Sequence, residues 1–197
     1  MTRFKKTKKF IYIISPNTIK DDFFYRDLEL IFKTGKVSYF QLRLKKEKEN
    51  SLISIGKKIK KICKKFNVRF LINDNPIMAK KIGADGCHLG QTDMNIQQAR
   101  KILKNKIIGL TCHNSKSLIL EAIKEKVDYI ALGAFFSTKT KKVKYKTNIK
   151  ILKYAKNVTN TINIQLADMR NGLAILETEL LLSDNDDDHP IVQKLKN

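Results

Sequence analysis

No apolar run in this 197-residue chain approaches the roughly 18 residues that a membrane-crossing helix needs. No secretory leader is expected either. The opening MTRFKKTKKFIYIISP is basic and then apolar, but FIYII is shorter than the roughly 7–15 residues of a leader's apolar segment, and no small-residue cleavage site follows. The start reads as a basic tail running into a first strand. Cysteine is scarce, with Cys63, Cys87 and Cys112 alone; this sparse, odd set gives no disulfide framework and suits a reducing cytoplasm. A soluble, cytoplasmic protein is expected. Neither GxGxxG nor GxxxxGK(S/T) occurs, which argues against dinucleotide and P-loop chemistry.

Arginine is also scarce. The formal charge is +21, yet only Arg3, Arg26, Arg43, Arg69, Arg100 and Arg170 are arginines, and lysine is spread over nearly the whole chain. Nucleic-acid modules cluster their charge and add aromatic stacking or an arginine fork. Runs such as KKIKKICKKF read instead as solvated helix faces. No specific nucleic-acid partner and no membrane partner is expected, only weak attraction to polyanions that salt screens away.

What is present is an alternation. Strand-like runs stand at 10–15 (FIYIIS), 38–44 (SYFQLRL), 68–73 (VRFLIN), 86–90 (GCHLG), 106–111 (KIIGLT), 128–133 (DYIALG) and, more weakly, 162–167 (INIQLA). Amphipathic stretches lie between them, among them SLISIGKKIKKICKKF and SKSLILEAIKEK, with apolar residues at three- and four-residue spacing. Gly35 and Gly83 stand where two helices should close. A β-then-α period implies a parallel sheet with helical crossovers. Six or seven such units point to a (β/α)8 TIM-type barrel, with a doubly wound open sheet as the other arrangement.

In a barrel the chemistry gathers at the C-terminal strand ends. The second strand ends in QLRLK, and period-two geometry puts Gln41, Arg43 and Lys45 on one face. The third offers Asn73 and Asp74, the fourth leads into Gln91 and Asp93, and the sixth leads to Thr138, Thr140 and Lys141. Strands about 4.8 Å apart would let Asp74 and Asp93 share one hard cation such as Mg²⁺. Arg43, Lys45 and Lys141 would neutralise phosphate, so the composite suits a diphosphate ester. Plainer readings stand beside this one. Asp74 would cap a helix starting near Pro76, and Asp93 one starting near Asn95. His88 would be a packed or hydrogen-bonded side chain. Cys87-His88 and Cys112-His113 do not make a zinc set, because neighbouring strand residues face opposite ways.

Taken in order, QLRLK, LINDN, GADGCHLGQTDM, IIGLTCH and YIALGAFFSTKTKK resemble the thiamine phosphate synthase family over roughly residues 10 to 160. The resemblance implies a (β/α)8 transferase that joins an aminopyrimidine-methyl diphosphate to a thiazole phosphate. Thiamine phosphate and pyrophosphate are the products. By position it implies Asp74 and Asp93 as Mg²⁺ ligands, with Gln41, Arg43, Lys45 and Asn73 on the pyrimidine diphosphate. It puts Lys141 on the phosphates and Thr138 and Thr140 on the thiazole phosphate. Thr111 stands where the family commonly has serine. Arg43, Lys45 and Lys141 would serve the departing diphosphate.

Past residue 160 the resemblance stops. A relative would run from strand seven into a Gly-Gly loop, a helix and an eighth strand. This chain has no Gly-Gly there and no clear eighth strand. Residues 157–193 hold no lysine, and DNDDDHP is acidic and reads as disordered. The expected division is a barrel body over 1–160 and a divergent segment over 161–197, with the barrel incomplete or altered after strand seven. Two other functions fit the same fold: a thiazole tautomerase-like relative using His113, or a non-catalytic remnant of the synthase.

Overall fold

A computed structural model describes residues 10–19, 21–133 and 146–158, together with the backbone of two strands at 162–166 and 174–178. The strands are β1 (Phe10–Ile14), β2 (Val37–Leu42), β3 (Arg69–Asn73), β4 (Gly86–Leu89), β5 (Ile107–His113), β6 (Tyr129–Leu132), β7 (Ile162–Leu166) and β8 (Ala174–Thr178). Between them run α1 (Phe23–Lys33), α2 (Glu49–Lys65), α3 (Pro76–Ile82), α4 (Ile96–Leu103), α5 (Lys116–Lys124) and α6 (Ile149–Val158). The strands close into one barrel in chain order. The first seven run parallel, each beside the next.

Local chemistry sets the helix ends. Pro76 opens α3, where its missing N–H costs nothing. Gly83 closes the same helix at φ 76°, a left-handed conformation that glycine adopts without a Cβ penalty. Ser115 caps α5 by accepting the Leu118 N–H. At the lower end of the barrel, carboxylates hold strand starts in register. Asp85 accepts the Phe70 N–H at 2.8 Å, and Asp128 accepts the Ile108 N–H at 2.8 Å while pairing with Arg100.

Period-two alternation divides the buried residues into two cores. Ile13, Phe40, Leu42, Phe70, Ile72, Cys87, Leu89, Ile108 and Ile130 face outward and pack under the helices. Tyr12, Leu71 and Tyr129 form a separate cluster in the lumen, with Ile14, Tyr39 and Ile107 against them. The tyrosine rings of Tyr12 and Tyr129 meet edge-on at 5.7 Å. Glycine makes room for them: a Cβ on Gly109 would stand 1.9 Å from Tyr129 Cζ. Gly109→Ala is therefore expected to destabilise the fold by about 2–3 kcal/mol through overpacking. Urea denaturation measures this; an unchanged midpoint would mean that Tyr129 is not held where the structure puts it.

The barrel is altered after β7, as the break in composition foretells, but it is not left open. The expectation of no eighth strand is corrected: β8 pairs with β7 and β1, antiparallel to both. Chain length explains its direction. Only positions 167–173 separate β7 from β8, whereas a parallel return needs a crossover of about a dozen residues or more. The segment AILET hid as a strand because Ala, Leu and Glu favour helix.

Candidate active site

β2 ends at Leu42, earlier than the alternation suggested, so Arg43 and Lys45 lie in the loop beyond it. The alternation continues nonetheless. Leu42 and Leu44 are buried in the outer core, while Gln41 turns into the lumen and is 2% exposed. Arg43 is fixed twice: its backbone N–H donates to Ser15 Oγ at 2.8 Å and its Nη1 to Asn17 Oδ1 at 2.6 Å. Lys45 Nζ lies 3.5 Å from Asp74 Oδ2.

The plainer reading of the two aspartates fails on geometry. The α3 cap is Asn75, whose Oδ1 accepts the Met78 N–H at 2.9 Å. Asn95 caps α4 in the same way, accepting the Gln98 N–H at 2.9 Å. Neither carboxylate is spent on a helix. Asp74 sits at φ 63° and its N–H donates to His88 O at 2.7 Å, which ties the end of β3 to β4. Asp93 Oδ2 accepts the Gly90 N–H at 2.7 Å, folding the HLGQTD loop back over the strand end. The carboxyl groups of Asp74 and Asp93 neighbour each other. Burial raises the Asp93 pKa, the Gly90 N–H opposes this, and Asp74 adds to the rise. Two half-buried acids are thus crowded together at the rim.

Below the rim, His88 lies in the lumen. Its Nδ1 is 2.8 Å from the Tyr129 hydroxyl and its Nε2 2.8 Å from Thr111 Oγ1. Tyr129 contacts the Tyr12 hydroxyl at 2.7 Å, and Tyr12 donates to Gln41 Oε1 at 2.8 Å. Gln41 Nε2 in turn donates to Asn73 Oδ1. Sequence reading placed Gln41, Asn73 and Thr111 at the site but missed Tyr12 and Tyr129. The signal available was a phenol in an inward register within each apolar strand. Cys87 faces the helices while His88 faces the lumen, as alternation requires. Gln91 Nε2 donates to Thr111 O at 2.5 Å, joining the fourth and fifth strand ends. His113 ends β5 at φ 50°. Thr138, Thr140 and Lys141 lie outside the described residues.

Burial lowers the His88 pKa from 6.5 to about 4. As pH falls, the unfolded chain therefore takes up its proton before the folded one does. The stability linked to His88 is complete above pH 6.5 and is lost between there and about pH 4. The whole loss amounts to about 3 kcal/mol. His88→Gln is expected to flatten that part of the stability–pH curve, read by urea unfolding at several pH values. Parallel curves for the two proteins would count against a neutral buried histidine.

No helix among the described residues is long and apolar enough to cross a membrane. A family profile described as thiamine monophosphate synthase matches residues 11–167. A thiamine-phosphate synthase from Pelagibacter ubique is 58% identical over 160 residues, covering 81% of this chain and 77% of the relative. One from Clostridium perfringens is 35% identical over 175 residues, covering 80% and 84%. Among solved structures, a thiamine phosphate pyrophosphorylase from Pyrococcus furiosus superposes with a TM-score of 0.68 at 24% identity, over 80% of this chain and 74% of that one. That likeness carries the barrel fold, and the sequence matches carry the kinship: the chain belongs to the thiamine monophosphate synthase family.

Proposed function

We propose that this chain is a Mg²⁺-dependent transferase. It would condense 4-amino-2-methyl-5-pyrimidinylmethyl diphosphate with a thiazole phosphate, giving thiamine phosphate and pyrophosphate. The observation that carries the reading is that neither Asp74 nor Asp93 caps a helix, since Asn75 and Asn95 do the capping. Two adjacent oxygen ligands that crowd each other suit a hard cation whose remaining positions go to water and substrate phosphate. Mg²⁺ held there would supply neutralising positive charge to the diphosphate.

The protein's own groups would do the rest. Lys45, beside Asp74, and Arg43, braced on Ser15 and Asn17, face the same rim. Both would hold diphosphate oxygens as the bond between the pyrimidine methylene and the leaving oxygen breaks, its electron pair leaving with pyrophosphate. The thiazole nitrogen lone pair then forms the new C–N bond, a step that needs positioning and no nucleophilic side chain. Gln41 and Asn73 would hold the pyrimidine diphosphate and Thr111 would add a hydroxyl. Thr138 and Thr140 would take the thiazole phosphate, and Lys141 the leaving phosphates. The substrates are small phosphate esters, which fits a cytoplasmic biosynthetic enzyme.

Purified protein supplied with both substrates should yield thiamine phosphate with Mg²⁺ and none after chelation. Absence of product at every Mg²⁺ concentration would reject the reading in favour of a non-catalytic remnant.

A further inference from the structure

Six side chains from six strands make an unbroken hydrogen-bonded row through the lumen: Thr111, His88, Tyr129, Tyr12, Gln41 and Asn73. Both ends of the row reach the rim, and its middle is sealed inside the barrel. Tyr12 is 0% and Tyr129 2% exposed, so no bulk water supplies alternative partners for the phenols.

Counting hydrogens gives the row a direction. The Tyr12 hydroxyl has one hydrogen, and it goes to Gln41 Oε1. Tyr12 must then accept from Tyr129, which uses the single Tyr129 hydrogen. Tyr129 in turn accepts from His88, so Nδ1 carries the imidazole hydrogen. In the neutral ring Nε2 is then bare and accepts from Thr111 Oγ1–H. At the other end Gln41 Nε2 donates to Asn73 Oδ1, leaving the Asn73 Nδ2 hydrogens for other partners. Every donor points the same way. Reversing one link would require turning both amides, both phenols, the threonine hydroxyl and the histidine tautomer together.

We propose that Tyr12, Tyr129 and His88 are positioning residues that polarise the two rim groups, fixing Asn73 as an outward hydrogen donor and Thr111 as an outward acceptor. This rests on the transferase reading for its consequence, though not for its geometry. A diphosphate oxygen only accepts hydrogen bonds and an aromatic amino group donates them, so the two ends address different parts of one aminopyrimidine diphosphate. An amide or hydroxyl free to rotate would present the wrong atom part of the time. The row holds one arrangement before substrate arrives, a form of preorganisation.

The test reads the row without any substrate. Histidine labelled with ¹⁵N reports which ring nitrogen carries hydrogen, and His88→Gln assigns the signal among the three histidines. The expected result is the Nδ1–H tautomer of His88 in the full chain at neutral pH. Tyr12→Phe and Tyr129→Phe each remove one oxygen and keep the ring. Both should release His88 from that tautomer and lower kcat/KM about tenfold. Thr111→Ser should keep both properties, and Thr111→Val should lose activity alone. An Nε2–H histidine in the unaltered protein overturns the proposal. So do tyrosine variants whose histidine signal and kinetics match the parent. An inactive parent whose tautomer still responds to Tyr12→Phe would sink the transferase reading and leave the polarised row standing.

Discussion

Asp74→Asn and Asp93→Asn should each lower Mg²⁺-dependent turnover by about a thousandfold or more while the protein stays folded. Asparagine is the informative replacement at position 74, because φ is 63° there and Asn tolerates left-handed backbone better than Ala. The stability argument is electrostatic. The Asp74 side chain is 34% exposed, so its loss opens no cavity, and removing one of two crowded carboxylates relieves the repulsion that adds to burial in raising the Asp93 pKa. The capping bonds of α3 and α4 belong to Asn75 and Asn95 and survive both changes. Thermal unfolding with and without Mg²⁺ separates the two roles. The parent should gain stability from the ion and the variants should gain little. Near-normal turnover at limiting Mg²⁺ in either variant would end the ligand assignment.

Ending the chain at Leu166 should cost about 4 kcal/mol or more, a large share of a domain's roughly 5–15 kcal/mol. β8 makes five register pairs with β1 and three with β7. Its removal leaves two strand edges of a mostly parallel sheet without partners and opens the aromatic lumen beside Tyr12. Leu176→Pro keeps the full length and should produce much of the same loss. Position 176 stands opposite both Tyr12 and Leu166, and proline there removes an N–H from a strand paired on both sides. Broad unfolding and dye binding to exposed apolar surface are the expected signs. A truncated chain that melts cooperatively at the parent's temperature would show that the barrel does not depend on this closure.

The seven parallel strands were legible because each is a short apolar run with period-two alternation, bounded by helix caps or glycines. The direction of β7–β8 was not. AILET carries helix-forming residues, and what sets its direction is the short span 167–173 together with two waiting edges, a tertiary constraint that local pattern cannot display. α6 escaped as well: IKILKYAKNV buries only Ile151 and Ala155, too few apolar positions to stand out among its lysines. At the rim, residue types at strand ends were readable, but the choice between capping and coordination was not. Asp74-Asn75 and Asp93-Met94-Asn95 each offer two competent caps within three positions. The backbone decides, and it selects the asparagines. The Tyr12–Tyr129 link, between strands first and sixth in the chain, has no local sequence signature.

The reversed β8 also fixes where the chain leaves the barrel. Seven strands deliver their C-terminal ends to the rim, but β8 delivers its N-terminal end, Ala174, and finishes with Thr178 beside Phe10 at the start of β1. Thr178, the last residue of β8, therefore lies at the floor, on the side where Asp85 and Asp128 pin the strand starts. Thr178 is at the opposite end of the barrel from the proposed diphosphate site. An affinity tag or surface anchor joined beyond β8 would grip the molecule from beneath and leave the mouth free for substrates.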